Sequence, residues 1–183
     1  MGKFQPKRLR LKSGEELEIR EARSADAASL VQYVEAVSGE SDNLTFGPGE
    51  FELTAAQEAE YLEAMAKRSN AIHLLGLLDG EIVASLSFAG GLRSRMRHAG
   101  EFGMSGRRMH WNKGIGNVTL SVFLDWCRRS EEIRKVNLRV RVDNHAAIHL
   151  YEKHGFKLEG RKTREFLLAG EFVDVLYMGL EID

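Results

Sequence analysis

The stretch of this sequence best suited to hold an anion runs from Trp111 to Cys127. It reads Trp-Asn-Lys-Gly-Ile-Gly-Asn and continues at Val118 into an apolar run, so a glycine-bearing turn opens directly into a helix. Gly114 and Gly116 lack Cβ, so the backbone there can take left-handed dihedrals and bring several N–H groups close to one anion at the positive end of the helix dipole. Lys113 adds a full positive charge at the same place. With 18 glycines in 183 residues, chance alone yields about two Gly-x-Gly triplets, and the chain has two, this one and Gly47-Pro48-Gly49. Only the triplet at Gly114 follows a strand-like run and precedes a helix. It is either a phosphate cradle or a plain structural turn.

Other reactive side chains are less promising. Cys127 belongs to the apolar surface of the helix and has no base near it in sequence, which describes an inert buried thiol. His145 and His149 stand at i and i+4 but lack the glutamate of an HExxH site, so no metal is expected. A lone cysteine excludes a disulfide framework and any cysteine-based metal site. A formal net charge of −1 argues against a protein that lives on nucleic acid, whose phosphate contacts leave a basic excess. No apolar run approaches the roughly 18 residues of a membrane span, and no signal-peptide core follows the N-terminal basic residues, so a cytoplasmic location is expected. The chain starts Met-Gly, but Pro6 stands where a myristoylation signal wants Ser or Thr.

The elements that must position the turn follow from periodicity. A chain with 43% apolar residues and no repeat or linker predicts one domain, residues 1–183, with 1–16 as an N-terminal extension or hairpin. Lys3, Lys7, Arg8, Arg10 and Lys12 form a basic arm, yet Leu9, Leu11, Ser13-Gly14, Leu17 and Ile19 read as a short hairpin, balanced by Glu15, Glu16, Glu18 and Glu21. Ser24 is expected to cap a helix over Ala25 to Val37. The polar stretch Gly39 to Gly49 is loose enough to form a substrate mouth. Thr54 opens a second helix to about Arg68, with Glu58, Glu60 and Glu63 outward. Strands at His73 to Leu78 and Glu81 to Phe88 flank the hairpin signal Asp79-Gly80. Gly90 to Arg97 reads as a solvated basic loop.

Ala99 to Ser105 reads as a central strand whose Gly100 and Gly103 mark a bulge or a close backbone approach. It feeds the glycine turn and its buried helix. Lys135 to Val142 alternates between an apolar face and a face carrying Asn137, Arg139 and Arg141, so strand, helix and strand imply a right-handed parallel crossover. Asp143 or Asn144 caps the next helix, Ala146 and Ala147 permit close approach, and Gly155 ends it. Lys157 to Phe166 and Phe172 to Leu180 form a last hairpin across Ala169-Gly170.

This order, with Lys113-Gly114-Ile115-Gly116, then Arg141-Val142-Asp143-Asn144, then Ala147-Ile148-x-Leu150-Tyr151-x-Lys153-x-Gly155-Phe156 and Glu159-Gly160, resembles a GNAT-type N-acetyltransferase from about His73 to Leu180. The resemblance implies an α/β fold: a single GNAT-like domain with a mixed, mostly antiparallel sheet flanked by helices on both faces, here with an extra N-terminal hairpin. It implies acetyl-CoA as co-substrate, an amine acceptor, no membrane or nucleic-acid partner, and room for a homodimer. Trp111, Asn112, Lys113, Gly114, Ile115, Gly116 and Asn117 would take the pyrophosphate. The backbone at Met104, Ser105 and Gly106 would pair with the pantetheine arm, and Asn144 and Ala147 would also meet the cofactor. The family often has Gln or Arg where this chain has Trp111, so one side-chain phosphate contact is expected to be missing.

The acyl-transfer chemistry assigns two more roles. A protonated amine must lose its proton before attack, and Glu101, on the strand beside the cofactor, is the candidate base. The leaving thiolate needs an acid, and Tyr151 is the candidate; the resemblance implies that its hydroxyl points at the sulfur. The rival reading is a non-catalytic acyl-CoA-binding regulatory module that kept the cleft and lost acceptor chemistry.

Overall fold

The computed structural model describes residues 4–183; Met1, Gly2 and Lys3, the first residue of the basic arm, lie outside the described residues. The period-two segments pair into one sheet. In chain order its strands are β1 (Lys7–Arg10), β2 (Glu16–Glu21), β3 (Ala71–Leu78), β4 (Glu81–Gly90), β5 (Ala99–Gly106), β6 (Lys135–Arg141), β7 (Lys157–Leu168) and β8 (Glu171–Glu181). Their spatial order is β1-β2-β3-β4-β5-β6-β8-β7. Every neighbouring pair is antiparallel except β5 and β6, which run parallel because a helix connects them. The helices are α1 (Ala27–Ser38), α2 (Ala55–Ala66), α3 (Ile115–Arg128) and α4 (His145–Lys153).

Strand β3 shows why helices cover both faces. All eight of its residues are buried, and alternation sends them to two separate cores. Ile72 and Leu74 join the core built with Leu120, Phe123 and Leu124 of α3, while Leu75 and Leu77 join Leu30 and Tyr33 of α1 and Leu62 of α2. The first core is aromatic-rich, with Phe88, Phe102, Phe123, Tyr151 and Phe156 linked by ring contacts of 5.2–5.9 Å.

Turn chemistry sets the hairpins. Asp79 (φ 49°) with Gly80 (φ 86°), and Ala169 (φ 48°) with Gly170 (φ 87°), place both central residues at positive φ, which suits the right-handed twist of the flanking strands. Thr54 caps α2 through a reciprocal box, with Gln57 N–H donating to its hydroxyl at 3.3 Å and Gln57 Oε1 accepting the Thr54 N–H at 2.9 Å.

Two expectations are corrected, and one open alternative is decided. Ser24 does not cap α1; residues Ser24–Asp26 form a short 3-10 turn, and the stronger acceptor, the Asp26 carboxylate, takes the Arg23 N–H at 2.8 Å while Arg20 grips it bidentately at 2.7 Å. Glu58 does not point outward with Glu60 and Glu63. It is buried at 3% exposure, and burial raises its carboxyl above the usual range. Gly100 and Gly103 mark no bulge, since β4 and β5 keep an unbroken register from Ala84↔Gly106 to Gly90↔Gly100. Gly100 is instead a close approach: a Cβ there would sit 2.5 Å from the Ala89 carbonyl oxygen and the Phe88 ring.

The face of β4 and β5 turned to α1 is polar and internally bonded. Buried His73 meets the Ser85 hydroxyl through Nε2 at 2.9 Å, and the Tyr33 hydroxyl meets that of Ser105 at 3.0 Å. Among the described residues His73 Nδ1 has no partner, and burial pushes the imidazole down from 6.5 to about 4. Because the folded value lies below the unfolded one, the unfolded chain binds the extra proton. Stability from this residue is therefore complete above about pH 6.5 and is lost as pH falls toward 4, at up to about 1.4 kcal/mol per pH unit. Urea unfolding between pH 7 and 4 should show a shallower loss for His73→Gln than for the unsubstituted protein; parallel curves would remove His73 from the acid response.

Candidate active site

The left-handed residue of the glycine turn is Gly114, at φ 85° and ψ 1°, where it caps α3 without any side-chain hydrogen bond. The first backbone N–H groups of α3 have no intrahelical acceptor by construction, so Ile115, Gly116 and Asn117 offer donors at the positive end of the helix. A Cβ on Gly114 would meet nothing within 4 Å, so the turn faces open space. Gly116 is helical, and its expected left-handed dihedral is corrected. What its missing side chain permits is proximity, since a Cβ there would touch Met104 Cε at 3.5 Å and Leu150 Cδ2 at 3.6 Å. These features suit a pyrophosphate held by backbone donors.

The neighbouring side chains are engaged within the protein. Trp111 donates its indole N–H to the Gly106 carbonyl at 2.8 Å, bracing the turn against the end of β5, so that N–H is not free for a phosphate. Asn112 is left-handed at φ 62°. Asn117 Oδ1 lies 3.1 Å from His154 Nε2. Lys113 Nζ stands 3.5 Å from Glu15 and 3.4 Å from His110 Nδ1.

Beside the turn the sheet divides. β5 pairs with β6 only over Ala99↔Lys135, Gly100↔Val136 and Glu101↔Asn137. Beyond Glu101, β5 stays on β4 as far as Gly106, and β6 stays on β8 as far as Arg141. Between them the backbone of Gly103 to Ser105 has an edge with no strand on it, which an extended amide-bearing chain can pair with. Met104 packs toward α3 and Ser105 toward Tyr33, on opposite faces of that edge.

Tyr151 lies in α4 beside this fork. Its ring makes edge contacts with Phe102 at 5.8 Å and Phe156 at 5.9 Å, and burial raises its hydroxyl to about 12. Among the described residues nothing hydrogen-bonds that hydroxyl, although its buried ring would favour a partner. Asn144 caps α4 by accepting the Ala147 N–H at 3.2 Å, which leaves its carboxamide N–H groups available. Ala147 is partly buried against the aromatic core. Cys127 is fully buried and its thiol is pushed up by that burial.

Glu101 sits on the opposite face of β5, half-exposed, with one carboxylate oxygen accepting from Arg139 Nε at 2.7 Å. Arg139 and Arg141 line a cleft of roughly 660 Å³ whose far wall is the segment 41–50 and whose third wall is β7 with Glu165 and Phe166. Arg141 is held bidentately by Asp143 at 2.6 and 2.9 Å and also donates to the Asp42 carbonyl. Glu40 ties this loop to the segment that follows β5, accepting from Arg107 Nε at 2.8 Å and the Arg108 N–H at 2.6 Å. The alternation of β6 places Arg139 and Arg141 on one face; their partners Glu101, Asp42 and Glu165 are distant in sequence and carried no local signal.

Comparison with known proteins gives this geometry its identity. The Acetyltransferase (GNAT) family profile matches residues 40–156, well over half of the chain. The L-amino acid N-acetyltransferase AaaT of Escherichia coli is 31% identical over 116 residues, covering 63% of this chain and 72% of that protein. An acetyltransferase of the GNAT family from Streptococcus pneumoniae has a structure with TM-score 0.88 at 35% identity, over 91% of this chain and 99% of that one. An acetyltransferase from Salmonella typhimurium, solved with its cofactor acetyl-CoA, shares the fold at 20% identity and TM-score 0.79, over 91% and 94% of the two chains. With an uncapped glycine turn at α3 and a sheet that forks beside it, this chain belongs to the GNAT family of acetyltransferases.

Proposed function

We propose that acetyl-CoA lies along the open edge of β5 with its pyrophosphate on the Gly114 turn, and that a primary amine of a small molecule, protein or peptide enters from the 660 Å³ cleft. The enzyme is an acetyl-CoA-dependent N-acetyltransferase. The observation that carries the placement is the fork, where three parallel pairs give way to an unpaired edge that points at the α3 N-terminus. The bound thioester supplies an acyl carbon open to attack by a neutral amine and a thiolate leaving group.

The protein's part is to position and to move protons. Tyr151 supports the role of acid: its hydroxyl is unpartnered among the described residues, and at about 12 it keeps its proton throughout the physiological range. Glu101 stays the candidate base, with one oxygen held by Arg139 and the other able to accept a proton from the incoming ammonium. Arg139 lines the cleft and also holds Glu101, so the side chain at the proposed acceptor entrance is bonded to the candidate base. Free amino acids are the first acceptors to test, since the Escherichia coli relative is named for them. The reading includes a cytoplasmic enzyme with no nucleic-acid partner, supported by the net charge of −1. It also includes a homodimer meeting at the outer hairpin, where Leu158, Leu167 and Phe172 are exposed. Release of CoA thiol across a panel of amino acids, polyamines and peptides tests the reading; tight acetyl-CoA binding without thiol release from any amine would overturn it.

Two substitutions test the parts. Gly114→Val forces a β-branched residue into the left-handed region, at about 1–2 kcal/mol, and crowds the open turn. Acetyl-CoA affinity by titration calorimetry should fall at least about tenfold while the melting transition stays cooperative. Tyr151→Phe keeps the ring contacts and removes the proton. Its kcat should fall by about 10² to 10⁴ with acetyl-CoA affinity nearly unchanged. In the unsubstituted enzyme the rate should rise as the amine loses its proton and show no downturn until pH nears 12, because a donor with a raised pKa is lost only above that value. A phenylalanine variant within a few-fold of the parent would make Tyr151 a packing residue.

A further inference from the structure

The N-terminal hairpin lies outside residues 40–156, which carry the family match, and nothing in the mechanism above uses it. Its turn nevertheless stands beside the phosphate turn. Glu15 Oε1 is 3.5 Å from Lys113 Nζ, immediately before Gly114, and the same ammonium lies 3.4 Å from His110 Nδ1. The carboxylate is aimed from its own side: the Ser13 hydroxyl donates to Oε2 at 2.6 Å, and the Leu11 N–H donates to the Glu15 carbonyl at 2.9 Å. The Ser13 bond is the main reason the Glu15 carboxyl is held below the usual range, with Lys113 adding to the effect, so it is an anion at neutral pH. Both side chains are partly exposed, at 35% and 40%, so the pair is a surface contact that a stronger anion can break.

A negative charge at the mouth of an anion site is not an aid to binding. Lys113 has one positive charge, and two anions would claim it: the carboxylate of Glu15 and the phosphates of the cofactor. We propose that Glu15 is a resident competitor for Lys113, which weakens the hold on both acetyl-CoA and CoA and so favours release of the product. The proposal rests on the reading that the Gly114 turn holds the cofactor's phosphates. Glu15 touches no reacting atom and acts through Lys113, so it is a positioning residue whose effect belongs in affinity rather than in the chemical step.

The sign distinguishes this from the alternative, in which Glu15 pre-orients Lys113 and thereby tightens binding. Titration calorimetry of Glu15→Gln with CoA and acetyl-CoA should show Kd lower by about two- to fivefold, the range an exposed ion pair spans. The gain should shrink as salt is raised from 50 to 300 mM, where charges this exposed are screened. S-acetylpantetheine, which lacks the phosphates, should bind both proteins alike, and kcat at saturation should not fall. Weaker or unchanged CoA binding by Glu15→Gln would overturn the proposal, as would an equal gain with S-acetylpantetheine. Lys113→Ala in the same titrations separates the two layers: unchanged CoA affinity in both Lys113→Ala and Gly114→Val would reject the phosphate assignment and this proposal together. CoA affinity lost in Gly114→Val but unmoved in Glu15→Gln would reject only the competitor.

Discussion

Among the described residues, β5 past Glu101 has only one strand for a neighbour. It keeps its ladder with β4 to Gly106, while β6 keeps its ladder with β8 to Arg141, and the three parallel pairs that join them end at Glu101↔Asn137. Parallel pairing is slightly weaker per residue than antiparallel pairing, so when the two halves of the sheet diverge, this is the seam that opens. The first side chain after the seam is Phe102, whose ring contacts Phe123, Tyr151 and Phe156. The aromatic core therefore lies directly beneath the point where the seam opens.

From that seam the rest of the site is placed by short lengths of chain. β5 ends at Gly106, a 3-10 turn follows over Arg108–His110, and Trp111 folds back to bond the Gly106 carbonyl. The turn is therefore anchored to the strand whose free edge it must continue. Gly114 then reverses the backbone into α3, whose apolar face fills the core. A buried helix cannot shift without exposing that face, so the orientation of its first N–H groups is as rigid as the core itself. α4 is fixed similarly, by the Asn144 cap at its start and left-handed Gly155 (φ 90°) after its end, where the Phe156 N–H reaches the Tyr151 carbonyl at 3.1 Å.

The parts of this arrangement legible in the sequence were those with local causes. Asp79-Gly80 and Ala169-Gly170 mark hairpin turns; the alternation from Val136 to Val140 demands a face; Thr54 marks a helix start. Each was readable because the interaction that fixes it spans a few residues. Glu58 was misjudged because a helix's polar face is defined by what packs on it, and a packed carboxyl has the same sequence signature as a solvated one. Ser24 was misjudged because Asp26 outcompetes a hydroxyl only with Arg20 in place. Gly100 is legible only as a bulge or a close approach, and what decides for the second is the Ala89 carbonyl on the neighbouring strand. The Glu101–Arg139 and Tyr33–Ser105 contacts span 38 and 72 residues, and no periodicity encodes a pairing at such distance.

The cleft beside β6 is the extreme of that case. Its walls come mainly from the 41–50 segment, β6 and β7, and its arginines are already paired: Arg139 with Glu101 and Glu165, Arg141 with Asp143. A guanidinium bonded on two edges has little left to offer a substrate carboxylate, so Arg141, with all three nitrogens engaged, serves to hold the 41–50 segment through the Asp42 carbonyl. Arg139 differs, being half-exposed with its second contact, to Glu165, at 3.8 Å. Of the two arginines on this face, Arg139 is the less fully engaged, and the same side chain holds Glu101, so on the proposed reading an acceptor that engages it also acts on the candidate base; recognition and proton removal would then be joined through one guanidinium.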